Sequence, residues 1–87
     1  MTKVSYSNVR FVSREGSFYD TTFKALVTKT TTKGFIFKKT VKDEVCIVKK
    51  ATGFWFLEAT GDWACNDIVN LVRSYNINCD KDKRLEY

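Results

Sequence analysis

Apolar and polar residues alternate along the first two-thirds of the chain, the period of half-buried β-strands. Val4 and Tyr6 share one parity, and Val9 and Phe11 the other, which predicts a bulge or kink at Ser7–Asn8. Arg14-Glu15-Gly16-Ser17 supplies turn residues. Phe23, Ala25 and Val27 mark one face of a strand over Thr21–Lys29, and Thr30–Gly34 is expected to turn the chain. Phe35, Phe37 and Val41 share the face of a further strand, interrupted by Lys39. Lys42-Asp43-Glu44 reads as the next turn, before a short β-branched strand, Val45–Lys49. Ala51-Thr52-Gly53 then leads into Phe54–Ala59, the most apolar strand in the chain.

After this the period changes. Ala64, Ile68, Leu71, Val72 and Tyr75 fall on one face of an amphipathic helix. Thr60 or Asp62 is expected to cap its first turn, Arg73 to lie in its last turn, and Asn76 to stop it. The charged tail over residues 80–87 is expected to fray unless Leu85 and Tyr87 dock.

The pattern predicts a single α+β domain over residues 1–87. Its expected architecture is a meander of about five antiparallel strands with one C-terminal helix packed on one face. Apolar residues stand on both parities of Phe54-Trp55-Phe56-Leu57. That favours a strongly curled sheet or half-barrel, or a partner on the second face.

Composition narrows the function classes. The 87 residues include thirteen aromatics but no histidine and no proline. Without histidine, the commonest acid–base and metal-ligating side chain is missing. Cys46, Cys65 and Cys79 fit no metal spacing and are expected to be reduced thiols. Glu58 and Asp62 near the strand-to-helix junction are the nearest thing to a carboxylate pair. An outward-facing polar residue and a first-turn acid explain them more simply. Gly16, Gly34, Gly53 and Gly61 are scattered one per turn, unlike the clustered glycines of a phosphate loop. We therefore expect no enzyme, no metal and no cofactor. No leader and no apolar run of about 18 residues is present, so a cytoplasmic protein with no membrane partner is expected.

Charge adds a candidate surface. The net charge is +5, and eight lysines lie between Lys24 and Lys50 against only Asp43 and Glu44. Such a strip can meet nucleic acid, an acidic protein face or anionic lipid, or can simply keep strand edges soluble. Lys33-Gly34-Phe35-Ile36-Phe37-Lys38-Lys39 resembles the central-strand motif of RNA-recognition-motif and cold-shock domains, roughly K-G-F-G-F-V/I. Ile36 stands where that motif has a small residue and Lys38 where it has an apolar one. The resemblance covers seven residues and implies base stacking by Phe35 and Phe37. Lys24, Lys29, Lys33, Lys38, Lys39, Lys49 and Lys50 would then hold phosphates. The simpler expectation is that Phe35 and Phe37 face the helix as core.

Trp55, Leu57 and Trp63 are the candidate protein-binding residues, because Trp concentrates at binding hot spots. Trp63 lies off the main helix face and is the better exposed anchor. The favoured function is a non-catalytic protein-binding module, with a second copy of the chain as one candidate partner. In its Lys-, Thr- and Asn-rich, proline-free composition the chain resembles many small bacteriophage accessory proteins, which often inhibit a host or defence enzyme by covering its surface. That resemblance implies a host cytoplasmic setting. Nucleic-acid binding through the lysine strip is the alternative.

Overall fold

A computed structural model describes residues 2–16, 20–50 and 53–79, together with Leu85. Its elements are β1 (Thr2–Glu15), β2 (Thr22–Lys33), β3 (Lys39–Lys50), β4 (Phe56–Leu57) and α1 (Asn66–Asn78). The strands form one antiparallel sheet in the order β1-β2-β3-β4, a meander with a helix after it. The molecule is elongated, 51 × 27 × 18 Å, because β2 and β3 pair over twelve residues each.

Alternation builds the core. Phe23, Ala25 and Val27 of β2 are buried on the face that meets Ile68 and Val72 of α1. Ile47 lies opposite Ala25 in the register and joins them. Tyr6, Val9 and Phe11 of β1 pack against this cluster. The parity change expected in the first strand is a register shift between Ser7 and Arg10, with Asn8 at φ 56°. The extra residue carries the apolar set from Tyr6 to Phe11 along one face.

The core occupies only one end of the sheet. Toward the β2–β3 turn the Phe23-Ala25-Val27 face continues as Lys29, Thr31 and Lys33, opposite Asp43, Val41 and Lys39. Those strands are held by β-branched residues and by opposite charges across the ladder rather than by a core. Lys29 pairs with Asp43, and Arg10 of β1 places Nη1 2.7 Å from Glu44 Oε1.

Several sequence expectations need correction. The described residues form four strands, and the sheet neither closes nor curls strongly. Lys42-Asp43-Glu44 is no turn; it pairs with Thr30-Lys29-Thr28 inside one continuous β3. Thr30–Lys33 is likewise strand, so the turn moves on to residues 34–38. Helix α1 begins at Asn66, and its N-cap, Cys65, makes no side-chain capping bond. Thr60 Oγ1 instead accepts from the Asp62 N–H at 3.2 Å, two residues away. The helix also runs past Asn76 to Asn78, which leaves Arg73 outside its last turn. Asn76 lies within the helix, and its side-chain Oδ1 accepts the Leu85 N–H at 2.7 Å. Leu85 is fully buried in the core cluster, so this part of the tail docks. Residues 80–84 and 86–87 lie outside the described residues, as do Ala51 and Thr52.

Candidate functional site

The chain after β3 builds an aromatic surface at the core end of the molecule. The strand expected over Phe54–Ala59 is confined to Phe56–Leu57, and in the stretch just before it Trp55 enters the core, 4% exposed, while Phe54 stays outside. The chain then doubles back tightly. Gly61 N–H donates to the Leu57 carbonyl at 2.8 Å and Leu57 N–H to the Asp62 carbonyl at 2.7 Å. Ala64 N–H donates to the Trp55 carbonyl at 2.9 Å, and Phe56 and Trp63 form an antiparallel bridge. This backbone clasp sets Trp63 against Phe54 with ring centroids 5.3 Å apart and planes inclined by 29°. Both rings remain largely exposed, at 72% for Phe54 and 76% for Trp63. Beside them lies an open depression of about 460 Å³ lined by Lys50, Gly53, Phe54, Phe56, Gly61 and Trp63.

Of the three residues expected to bind protein, Trp63 is thus on the surface. Trp55 is not: burial on the helix side of the sheet removes it. Leu57 pairs with Ile47 on that same side and is half-buried. Phe54 was missed by sequence reasoning. The signal for it was its parity, opposite to Trp55 and therefore on the uncovered side once Trp55 is assigned to the core.

A second apolar surface lies at the far end of the β2–β3 hairpin. Lys33 and Lys39 are cross-strand partners, so Gly34–Lys38 is the connecting loop. Gly34 has φ +103°, and a Cβ there would lie 2.5 Å from the Phe37 carbonyl oxygen. Only glycine lets the chain fold back this closely. The loop carries Phe35, Ile36 and Phe37 at 76%, 88% and 91% exposure. This corrects the expected core placement of the motif and its expected place on a strand. Phe35 and Phe37 do not pack against the helix, and they stand on the loop between β2 and β3 instead of on a central strand.

The lysines do not form one strip. Lys33, Lys38 and Lys39 gather at the hairpin tip. Lys24 and Lys49 sit at the core end on opposite faces, Lys24 in register with Val48 and Lys49 with Phe23. Lys50 is opposite Thr22, next to the aromatic depression. Lys29 faces Asp43 midway along the sheet.

The candidate chemical groups are held in quiet environments. On the face away from the helix, Cys46 Sγ donates to Glu58 Oε2 at 3.0 Å. Burial, then the bond to Glu58 and its charge, push the Cys46 thiol up to about 11, so it is protonated at neutral pH. Glu58 is thereby occupied as an acceptor, and neither it nor Asp62 lines the depression beside Trp63. Cys46, Cys65 and Cys79 are free thiols. Among the described residues no three His, Cys, Asp or Glu side chains converge to hold a metal ion, and no helix is long and apolar enough to cross a membrane. Burial also raises the Tyr6 hydroxyl above its ordinary range, reinforced by neighbouring Cys65 and Asp67. Tyr6 lines a shallow depression of about 350 Å³ between β1 and α1, with Asp67, Asn70 and Leu71 among the other walls.

The chain matches no protein-family model, no curated protein and no solved structure.

Proposed function

We propose that this protein is a non-catalytic protein-binding module that acts by covering part of a partner's surface. The reading is supported above all by the Phe54–Trp63 stack: two large rings, mostly exposed, stacked on each other and brought together by a backbone clasp. Pre-set aromatic anchors lose little conformational entropy on binding and make strong hot spots. Lys50 at the margin favours a partner surface with an acidic rim around an apolar centre. The composition fits a phage-type accessory protein acting on a host or defence protein in the cytoplasm.

The test is capture from bacterial lysate with wild type and with the Phe54→Ala/Trp63→Ala variant. A stoichiometric partner held by the wild type and lost by the variant supports the reading. Its absence with wild-type protein shown to be folded refutes it, as does equal retention by both. Nucleic acid ranks behind a protein partner because the lysines divide between two ends and two faces of the sheet. Fluorescence anisotropy with single-stranded and duplex oligonucleotides at two salt concentrations tests that alternative. Tight binding that weakens steeply with salt would establish it.

A further inference from the structure

The hairpin tip is a different surface with a different chemistry. Three large apolar side chains occupy consecutive positions, and each is more than three-quarters exposed. Among the described residues no neighbouring element shelters them, because the helix-covered core lies at the other end of a 51 Å molecule. β3 alone separates Lys39 from Lys50 by roughly 36 Å at about 3.3 Å per residue. The tip is therefore a protrusion, clear of the body; the depression nearest to it, about 280 Å³, lies behind the apex on the sheet face and is lined by Thr31, Lys33, Lys39, Val41 and Asp43.

Its charge is equally one-sided. From Lys33 to Lys42 the chain carries four lysines and no acidic residue, and Lys3 lies beside them, opposite Thr32. Lys33 and Lys39 are directly paired across the ladder, an arrangement of like charges that disfavours the folded hairpin. A nearby anion would relieve that repulsion. An apolar apex with a basic collar one or two residues behind it matches one environment closely. In an anionic lipid surface, acyl chains meet the headgroups within a few ångströms. Lysine stems can lie along the apolar layer while their ammonium groups stay at headgroup level. A bilayer also accepts side chains that diverge around a turn, whereas a protein pocket must match each one.

We propose that the Gly34–Lys38 loop is a membrane-interface wedge. Phe35, Ile36 and Phe37 enter the outer part of an anionic bilayer, and Lys33, Lys38 and Lys39 hold the headgroups. Contact of this kind is peripheral and reversible and requires no membrane-spanning segment. It departs from the expectation of no membrane partner, which rested on the lack of a span. It is also independent of the Phe54–Trp63 surface at the opposite end.

Co-sedimentation with vesicles tests it, using phosphatidylcholine alone and phosphatidylcholine with about 30% phosphatidylserine. Wild type is expected to bind the anionic vesicles, to bind the neutral ones much more weakly, and to be released between about 0.1 M and about 1 M salt. The Phe35→Ser/Ile36→Ser/Phe37→Ser variant is expected to lose about 100-fold or more in partitioning. Its circular dichroism should be unchanged, since the three side chains support no core. The Phe54→Ala/Trp63→Ala variant is expected to bind vesicles as wild type does. A reporter variant, Ile36→Trp with Trp63→Phe, should show blue-shifted emission and quenching by brominated lipid. Failure of wild type to sediment overturns the proposal, as does sedimentation that the serine variant leaves intact or reporter emission that lipid does not move. Concentration-dependent self-association that the serine variant abolishes, with no vesicle binding, would make the tip a dimer contact instead.

Discussion

Replacing Leu85 by alanine tests how the tail contributes to this small fold. Leu85 is fully buried against the sheet–helix core, and its N–H is held by Asn76 of α1. Truncation removes three buried carbons, and the transfer part of that loss is about 2 kcal/mol. If about half of the vacated volume stays open, a cavity of roughly 40 Å³ adds about 1 kcal/mol, at roughly 24 cal/mol per Å³. The expected loss is therefore about 3 kcal/mol, a large share of the roughly 5–15 kcal/mol that holds a typical domain folded. Urea unfolding followed by the change in tryptophan fluorescence as buried Trp55 becomes exposed measures it. With a slope of about 1–1.5 kcal/mol per molar for a chain of this size, the midpoint should fall by about 2–3 M. Asn76→Ala should cost about 1 kcal/mol, and the double variant less than the sum, because both substitutions release the same segment. A Leu85→Ala loss below about 0.5 kcal/mol would refute the docking of this residue.

Three other substitutions probe the sheet. Gly34→Ala should destabilise by about 1–3 kcal/mol in the same urea assay, since alanine must hold a positive φ while its Cβ meets the Phe37 carbonyl. For Cys46, a thiol at about 11 rather than 9.0 has about 100-fold less thiolate at pH 8, so iodoacetamide should modify it about 100-fold more slowly in the native protein than in urea. Because that thiol keeps its proton more firmly when folded, its contribution to stability is complete below pH 9 and declines as pH rises toward about 11; Glu58→Gln should narrow that window and speed native alkylation. Glu44→Gln should change stability by about 1 kcal/mol or less, because the Arg10–Glu44 pair is solvated, with side-chain exposures of 36% and 63%.

The meander and its following helix were legible because their signals are local: strand parity, glycine-marked turns, and the helical spacing of Ile68 and Val72. The parity change at Ser7–Asn8 was legible for the same reason. What failed depended on partners far along the chain. Lys42-Asp43-Glu44 looks like a turn in isolation, yet Arg10 and Lys29 supply the opposite charges that let it continue as strand. Thr30-Thr31-Thr32 has the polarity of a loop, but β-branching suits it to the extended ladder. The Phe35-Ile36-Phe37 string misled in the other direction. Hydrophobicity suggested burial, while the geometry of Gly34 places the string at a turn. The candidate surfaces were accordingly only half visible. Trp63 could be picked as exposed, but its stacking on Phe54 depends on the clasp between Leu57 and Asp62.

The pairing of β2 with β3 also bears on the order in which the molecule assembles. Each of its twelve rungs is centred on Ile36, and partner separation grows evenly from Lys33–Lys39 to Thr22–Lys50. Such a ladder can zip outward from a single turn, closing a small loop at each step instead of one large one. The Gly34 turn then belongs to the early part of the reaction, whereas α1 and Leu85 add to a sheet that already exists. Substitutions at Gly34 would act chiefly on the rate of folding, and substitutions at Leu85 chiefly on the rate of unfolding. The segment that projects farthest from the finished protein is thus also where its sheet begins.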